Sequence, residues 1–301
     1  MSHDHNHTTP TPNNIGGAFA WGVGLNSAFI AIEITFGIIA GSVALIADAT
    51  HNFTDVLGLL LAWGALALAR RIPHGRYTYG YRSATILSVL VSTSILFVAV
   101  AGIVWSAIGR FGQPVEVQSG VVMLVAGIGI VINGLSAWLL SRGQADLNVK
   151  SAFLHLVADA AVSAGVVVAG AVIYFTGWGI VDPIVSLIIS AVVLWGGWRV
   201  LRDAVKLSLN AVPESVRLGE VRTYLESLPG VDRIHDMHVW PISTTETALT
   251  AHLVMPGEHP GDDFLHKGCR DLHDKFGIGH ATLQIEKGEG EECELAPDEV
   301  V

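Results

Sequence analysis

The stretch Asp48-Ala-Thr-His51-Asn-Phe-Thr-Asp55 places ionisable groups inside an apolar run, Val43 to Ala69, that otherwise has the length and composition of a membrane span. Charged side chains are expensive in the hydrocarbon of a bilayer and by default mark a pathway or a site. His51 and Asp55 are four residues apart, so a helix stacks them on one face, one turn from each other. The same spacing returns in a second apolar run, at His155 and Asp159. Two such helices set face to face offer two imidazoles and two carboxylates to one point. Four nitrogen and oxygen donors suit a tetrahedral divalent ion of the zinc type, and two Asp charges neutralise it. A lone polar residue on a membrane helix reads more simply as an interhelical hydrogen bond; two matched His-x-x-x-Asp pairs favour an ion site.

The composition supplies the frame for such a site. Of 301 residues, 51% are hydrophobic and only 15% charged, which defines a polytopic membrane protein with a soluble remainder. The formal net charge of -10 gathers in the last ninety residues, so nucleic acid is not an expected partner. Cys269 and Cys293 both fall in the soluble part; they suggest no disulfide framework and fit a reducing compartment. The first fifteen residues are polar and His-rich and do not have the pattern of a cleavable signal peptide. His3, His5 and His7 either collect metal weakly or belong to a tail with no such role.

Six apolar segments, near 16–40, 43–69, 84–108, 119–140, 151–175 and 182–203, are each long enough to cross a bilayer. The positive-inside rule sets their orientation. Arg70, Arg71, Arg76 and Arg82 lie in the second–third loop, Arg142 and Lys150 in the fourth–fifth, and Arg199, Arg202 and Lys206 after the sixth, against Arg110 alone on the other side. Both termini are therefore expected in the cytoplasm, with the protein multi-pass in the inner (plasma) membrane. Asn26 and Glu33 share a helix face and would line a wet cavity beside the ion site or bond a neighbouring helix. Asp48, three residues before His51, is expected on the path from the cytoplasm or behind the ligands. Asn52 would bond a neighbouring helix. Asp182-Pro183 has the form of an N-cap with proline at the first helical position. Trp178 and Trp195 read as interface or packing residues, and Gly127, Gly129 and Gly134 as points of close helix contact. His74, in the basic and aromatic second–third loop, is a peripheral candidate for metal.

Hydropathy drops after Leu209. Residues 214–228 have helical periodicity, 233–242 and 247–255 alternate like strands, 261–276 read as a second helix and 281–287 as a last strand. The order α-β-β-α-β suggests an open-faced α+β sandwich. This region carries His235, His238, His252, His259, His266, His273, His280, Glu286 and Cys293. In a regular strand His235 and His238 point to opposite faces, so they are not expected at one site together. The expected domain limits are 1–14 for a tail, 15–208 for the membrane part, 209–287 for the soluble domain and 288–301 for an acidic tail.

Ala47-Asp-Ala-Thr-His-Asn-Phe-Thr-Asp55, His155-Leu-Val-Ala-Asp159, Asp182-Pro183, His235-Asp-Met-His-Val-Trp240, Ala251-His-Leu-Val254 and His280-Ala-Thr-Leu-Gln-Ile-Glu286 occur in this order. Over residues 15 to 287 the chain resembles the cation diffusion facilitator family of divalent-metal transporters, in its zinc-transporting branch. The resemblance implies a homodimer with six spans per protomer and a ferredoxin-like, metallochaperone-like cytoplasmic domain that binds metal and stabilises the dimer. It places the transported ion at His51, Asp55, His155 and Asp159, and a tail-domain ion at His235, His252, His280 and Glu286, with Cys293 a late addition. Histidine at the position of His51 goes with zinc preference in that family. Some relatives carry a histidine at the position of Gln284 and a His-rich fourth–fifth loop; this chain has neither, which departs from a two-metal regulatory centre and from delivery of metal through that loop.

The expected activity is export of Zn2+ from the cytoplasm in exchange for protons, by alternating access around the His/Asp site. Cd2+, Co2+ or Ni2+ as main substrate is the alternative within that mechanism. A membrane-bound metal sensor is the alternative outside it. An intramembrane zinc enzyme would need a catalytic base beside an open coordination position, as in His-Glu-x-x-His, and the sequence has no such motif.

Overall fold

The computed structural model describes residues 15–112, 116–141, 147–288 and Cys293. The histidines of the first tail, most of the fourth–fifth loop and nearly all of the acidic tail lie outside the described residues. Six apolar helices come first: α1 (Ile15–Ala40), α2 (Val43–Ala69), α3 (Ala84–Arg110), α4 (Ser119–Leu140), α5 (Leu147–Thr176) and α6 (Val181–Ser208). Five of these, α2 to α6, contain a stretch long and apolar enough to span a membrane, and the Asn26–Ala40 part of α1 is a shorter apolar helix of the same character. The chain then forms α7 (Leu218–Glu226), β1 (Arg233–Pro241), β2 (Thr247–Val254), α8 (Asp262–Phe276) and β3 (Ile278–Glu286).

Two compact units are present, one from residues up to 60 and 92–198, the other from 61–91 and the chain after 199. In the first, valine, leucine, isoleucine and alanine from α1 to α6 form one core that includes Leu45, Val100, Val122, Val166 and Ile189. Outward faces are equally apolar: Trp105, Phe175 and Trp195 are exposed, as suits side chains whose solvent is lipid. Gly129 on α4 sits where a Cβ would lie 3.1 Å from Phe29 and 3.2 Å from Ser163 Oγ, so a larger residue would make those side chains on α1 and α5 give way by a few tenths of an ångström. Gly127 and Gly134 have no such neighbour.

The connection from α1 to α2 is two residues long. Gly41 takes φ +65°, and Ser42 N–H reaches back to the Gly37 carbonyl at 3.0 Å, closing α1 with a left-handed cap. The first amides of α2 then lack helical partners in an apolar setting. They are satisfied from another helix: the buried Asp182 carboxylate accepts from Val43 N–H at 2.7 Å and Ala44 N–H at 3.3 Å, and from the Ser42 hydroxyl. Arg110 at the end of α3 lies 3.5 Å from the same carboxylate and also donates to the Gly41 carbonyl. Asp182 is thus within the first turn of α6 rather than its N-cap, and the helix it caps is α2. The reason is electrostatic: the positive N-terminal end of α2 and Arg110 together neutralise a carboxylate held out of water.

In the second unit β1 pairs antiparallel with β2, and β2 pairs parallel with β3, with α8 as the crossover. The helices α7 and α8 pack against β1 and β3 and touch each other. Their buried faces, Val221, Leu225 and Leu272, close over Leu249, Leu253 and Ile278 of the sheet. The result is the α+β sandwich expected for a ferredoxin-like domain.

Replacing Asp182 with alanine leaves Arg110 without its counter-charge and two α2 amides without an acceptor. The expected loss is about 3–5 kcal/mol of stability, read as a lowered unfolding temperature of the detergent-solubilised protein, with Asp182→Asn intermediate because it keeps an acceptor.

Candidate metal sites

His51 and Asp55 are on α2, and His155 and Asp159 on α5, each pair one turn apart and all four in the first unit. His51 Nε2 lies 3.7 Å from Asp55 Oδ2 and 3.4 Å from Asp159 Oδ1; His155 Nε2 lies 3.4 Å from Asp55 Oδ2 and 3.5 Å from Asp159 Oδ2. The two imidazoles are set edge to face with ring centres 6.1 Å apart. These separations are longer than an ordinary hydrogen bond, 2.7–3.2 Å. Donor atoms of His51, Asp55 and Asp159 lie within 4.8 Å of one another, close enough to share one ion; His155 faces both carboxylates but stands outside that group of three. One oxygen of each Asp and Nδ1 of His51 are buried without a hydrogen-bond partner. Asp159 is almost fully buried while Asp55 and His155 retain contact with solvent, so the set has a closed side and an open side.

Two further carboxylates lie behind the ligands. Asp48, fully buried, accepts a 2.8 Å hydrogen bond from Ser163, one turn beyond Asp159 on α5. Glu33 on α1, also fully buried, accepts from Asn52 at 3.3 Å. Each keeps one unpartnered oxygen, Asp48 Oδ1 and Glu33 Oε1. Asn26, part-buried on α1, joins neither hydrogen bond. Ser163 was not singled out by sequence reasoning, because its role depends on the glycine contact at 129 that brings α4 against α5.

In the tail domain the donors of His235, His252, Glu286 and Cys293 all lie within 4.8 Å of one another. His235 Nε2 is 2.9 Å from one Glu286 oxygen and His252 Nδ1 is 2.8 Å from the other. Cys293 Sγ lies 3.9 Å from His252 Nδ1. His235 and His252 face each other directly in the β1–β2 register, and Glu286 ends β3 beside them. Burial pushes the Glu286 carboxyl up, but hydrogen bonds from His235 and Gln284 and the nearby imidazoles outweigh it and hold the group below its ordinary value. Two nitrogens, an oxygen and a thiol make a donor set that fits zinc or a similar borderline ion.

His280 is not brought to this cluster. It pairs with Ala248 near the start of β3, exposed, with its ring edge-on to Tyr79 at 5.5 Å. Six residues of strand separate it from Glu286, about 20 Å, which no single ion bridges. Nor does His238 join the cluster; it is half exposed and bonded to Asp236. His74 is exposed in the second–third loop, where it packs on Tyr77 and Tyr81 with ring centres 5.8 Å and 5.6 Å away.

A bundle of apolar spans whose helices bring two histidines and two aspartates together has the form of a multi-pass membrane protein with a candidate site for a divalent ion. The chain matches the transmembrane domain of cation efflux proteins over residues 21–207 and their cytoplasmic domain over 213–288. It is 36% identical to the zinc transporter ZitB of Escherichia coli, across 98% of this chain and 96% of that relative. To the cadmium, cobalt and zinc/H(+)-K(+) antiporter of Bacillus subtilis it is 31% identical, across 86% and 85%. Among solved structures, the metal-bound C-terminal domain of the CzcD transporter of Cupriavidus metallidurans is 36% identical over 24% of this chain and 99% of that one, with a TM-score of 0.21. The chain belongs to the cation efflux, or cation diffusion facilitator, family, whose members are transporters and not enzymes.

The tail cluster makes a discriminating expectation. Cys293→Ser should weaken zinc binding there by about tenfold or more, whereas His280→Ala should leave it within experimental error, as read by competition with a chromophoric chelator.

Proposed function

We propose that the protein exports Zn2+ from the cytoplasm across the inner membrane in exchange for protons, with His51, Asp55, His155 and Asp159 holding the ion in transit. The observation that carries this reading is the convergence of His51, Asp55 and Asp159 donors within 4.8 Å of one another inside an apolar bundle, with His155 3.4 and 3.5 Å from the same two carboxylates. The relatives' names, a zinc transporter and a cadmium, cobalt and zinc antiporter, support the ion class.

The exchange follows from competition at shared atoms. A metal binds imidazole through the lone pair that a proton would otherwise occupy, so metal and protons exclude each other. Imidazole ordinarily titrates near neutral pH. A more acidic outer side therefore favours the protonated site and release of the ion, and a neutral cytoplasm favours reloading. Asp55 and Asp159 supply two negative charges that Zn2+ balances on the way out and protons balance on the way back, so neither state leaves the interior with bare charge. Glu33 and Asp48, buried behind the ligands, lie on the route along which protons or hydrated metal approach. Alternation requires the two helices of the site to present it first to one side and then to the other.

The distribution of arginine and lysine among the loops argues for cytoplasmic termini. The tail domain then sits in the cytoplasm, where His235, His252, Glu286 and Cys293 bind a resident zinc ion and the domain joins two protomers. His51 in place of a carboxylate at the site favours zinc over harder ions, since imidazole is the softer donor.

Purified protein in proteoliposomes should take up zinc when a pH gradient is imposed, and uptake should collapse with the gradient. Asp159→Asn should cut the initial rate by at least about 100-fold, the cost of removing one charged ligand from an ion in transit. Zinc binding without gradient-driven flux in the wild-type protein would reject the transport reading in favour of a membrane-bound sensor.

A further inference from the structure

The tail cluster accounts for Nδ1 of His252 but not for its other nitrogen. Nε2 points away from Glu286 and Cys293 and lies 3.3 Å from Asp236 Oδ2. The second oxygen of that carboxylate, Oδ1, is 2.7 Å from His238 Nε2. Asp236 is itself unusual. It has φ +48°, one of two non-glycine residues with positive φ among the described residues. Its side chain is only 11% exposed.

The backbone explains how the carboxylate arrives there. His235 is paired with His252, but the next recorded pairing is His238 with Thr250, so β1 carries one extra residue at this point. In a regular strand residue 236 would project from the face opposite 235. A bulge with a left-handed residue re-aims side chains and recurs beside functional sites. Here it turns Asp236 under the same imidazole that His235 faces from the other side, with the two rings 4.9 Å apart.

Resting on the reading that the tail domain binds zinc through His235, His252, Glu286 and Cys293, we propose that Asp236 is the positioning residue for His252, holding its Nε2–H so that Nδ1 presents its lone pair to the metal. A neutral imidazole has one N–H and one lone pair. An acceptor fixed at Nε2 takes the N–H, and the free pair is left at Nδ1, on the side of Glu286 and Cys293. The negative charge also raises the basicity of the ligating nitrogen. His238 steadies the carboxylate from its other oxygen and does not touch the cluster, which gives the second half of His235-Asp-Met-His238 a role that metal ligation alone does not. The left-handed backbone is strained for aspartate, and it is retained where it puts a carboxylate behind a metal-ligating imidazole.

The test uses the full-length protein in detergent with buffered Co2+ as the probe. Among the proposed ligands only Cys293 is a thiol, so thiolate-to-cobalt charge-transfer absorption reports this site and not the one between α2 and α5. Asp236→Gly suits the left-handed backbone and removes the acceptor; Asp236→Asn also tolerates that backbone and keeps one oxygen. The expected result is a cobalt affinity about 10–100-fold weaker in Asp236→Gly, a smaller loss in Asp236→Asn, and an altered ligand-field spectrum. The unfolding temperature of the metal-free protein should hardly move. His238→Ala should leave the number of ions bound unchanged. A charge-transfer titration identical in wild type and Asp236→Gly would overturn the positioning role while leaving the metal site standing. Loss of one bound ion in His238→Ala, with the thiolate band intact, would show that Asp236 and His238 ligate a separate ion, and would overturn it also. Absence of any thiolate band in the wild-type protein would remove the tail site itself, and this proposal with it.

Discussion

Everything in the membrane unit depends on how buried charge is neutralised. An apolar bundle has no water to solvate a carboxylate, so each ionised group must find a counter-charge, hydrogen-bond donors or a proton. The structure meets the constraint in two ways. Asp182 is balanced permanently by Arg110 and the positive end of α2. Asp55 and Asp159 face the imidazoles of His51 and His155, which in the proposed function exchange a proton for a metal ion. A fixed pair builds a scaffold, whereas an exchangeable one builds a site.

The two arrangements are physically linked through α2. Its first turn is held by Asp182 and Ser42, and His51 follows two turns later with Asp55 one turn beyond. On the facing side, glycine at 129 admits Ser163, which holds Asp48, and Asp159 lies one turn before that serine on α5. The ligand geometry is thus set by contacts among α1, α4, α5 and α6 that do not themselves touch an ion. Sub-ångström placement matters here, because coordination distances vary by only about 0.2 Å between a good site and a poor one.

Helical and strand-borne sites were legible to different degrees, for a geometric reason. On a helix, four residues mean one turn and one face, so two His-x-x-x-Asp pairs in apolar runs single out the four candidate residues before any packing is known. The fixed partner of Asp182 was not legible: an Asp-Pro pair satisfies the local rule for an N-cap of its own helix, and only the tertiary arrangement places α2 beside it. In the tail domain the element order could be read from periodicity, whereas His235 and His252 were joined by the resemblance alone and the β1–β2 register sets them opposite each other. The resemblance made His280 a candidate, yet it lies six residues from Glu286 along β3 and outside the cluster. Cys293 lies beyond that strand in the sequence, and Asp236 reaches His252 only through a bulge. Neither path has a period that a sequence pattern reveals.

The central claim is that one ion is held by His51, Asp55, His155 and Asp159 together. Zinc X-ray absorption on the full-length protein, with the tail cluster removed by His252→Ala and Cys293→Ser, tests it directly. The account predicts a single shell of four nitrogen and oxygen donors at about 2.0–2.1 Å, with the outer-shell scattering of two imidazoles, one of which disappears in His155→Ala. A six-oxygen shell without imidazole, or a spectrum that His155→Ala leaves unchanged, would contradict it.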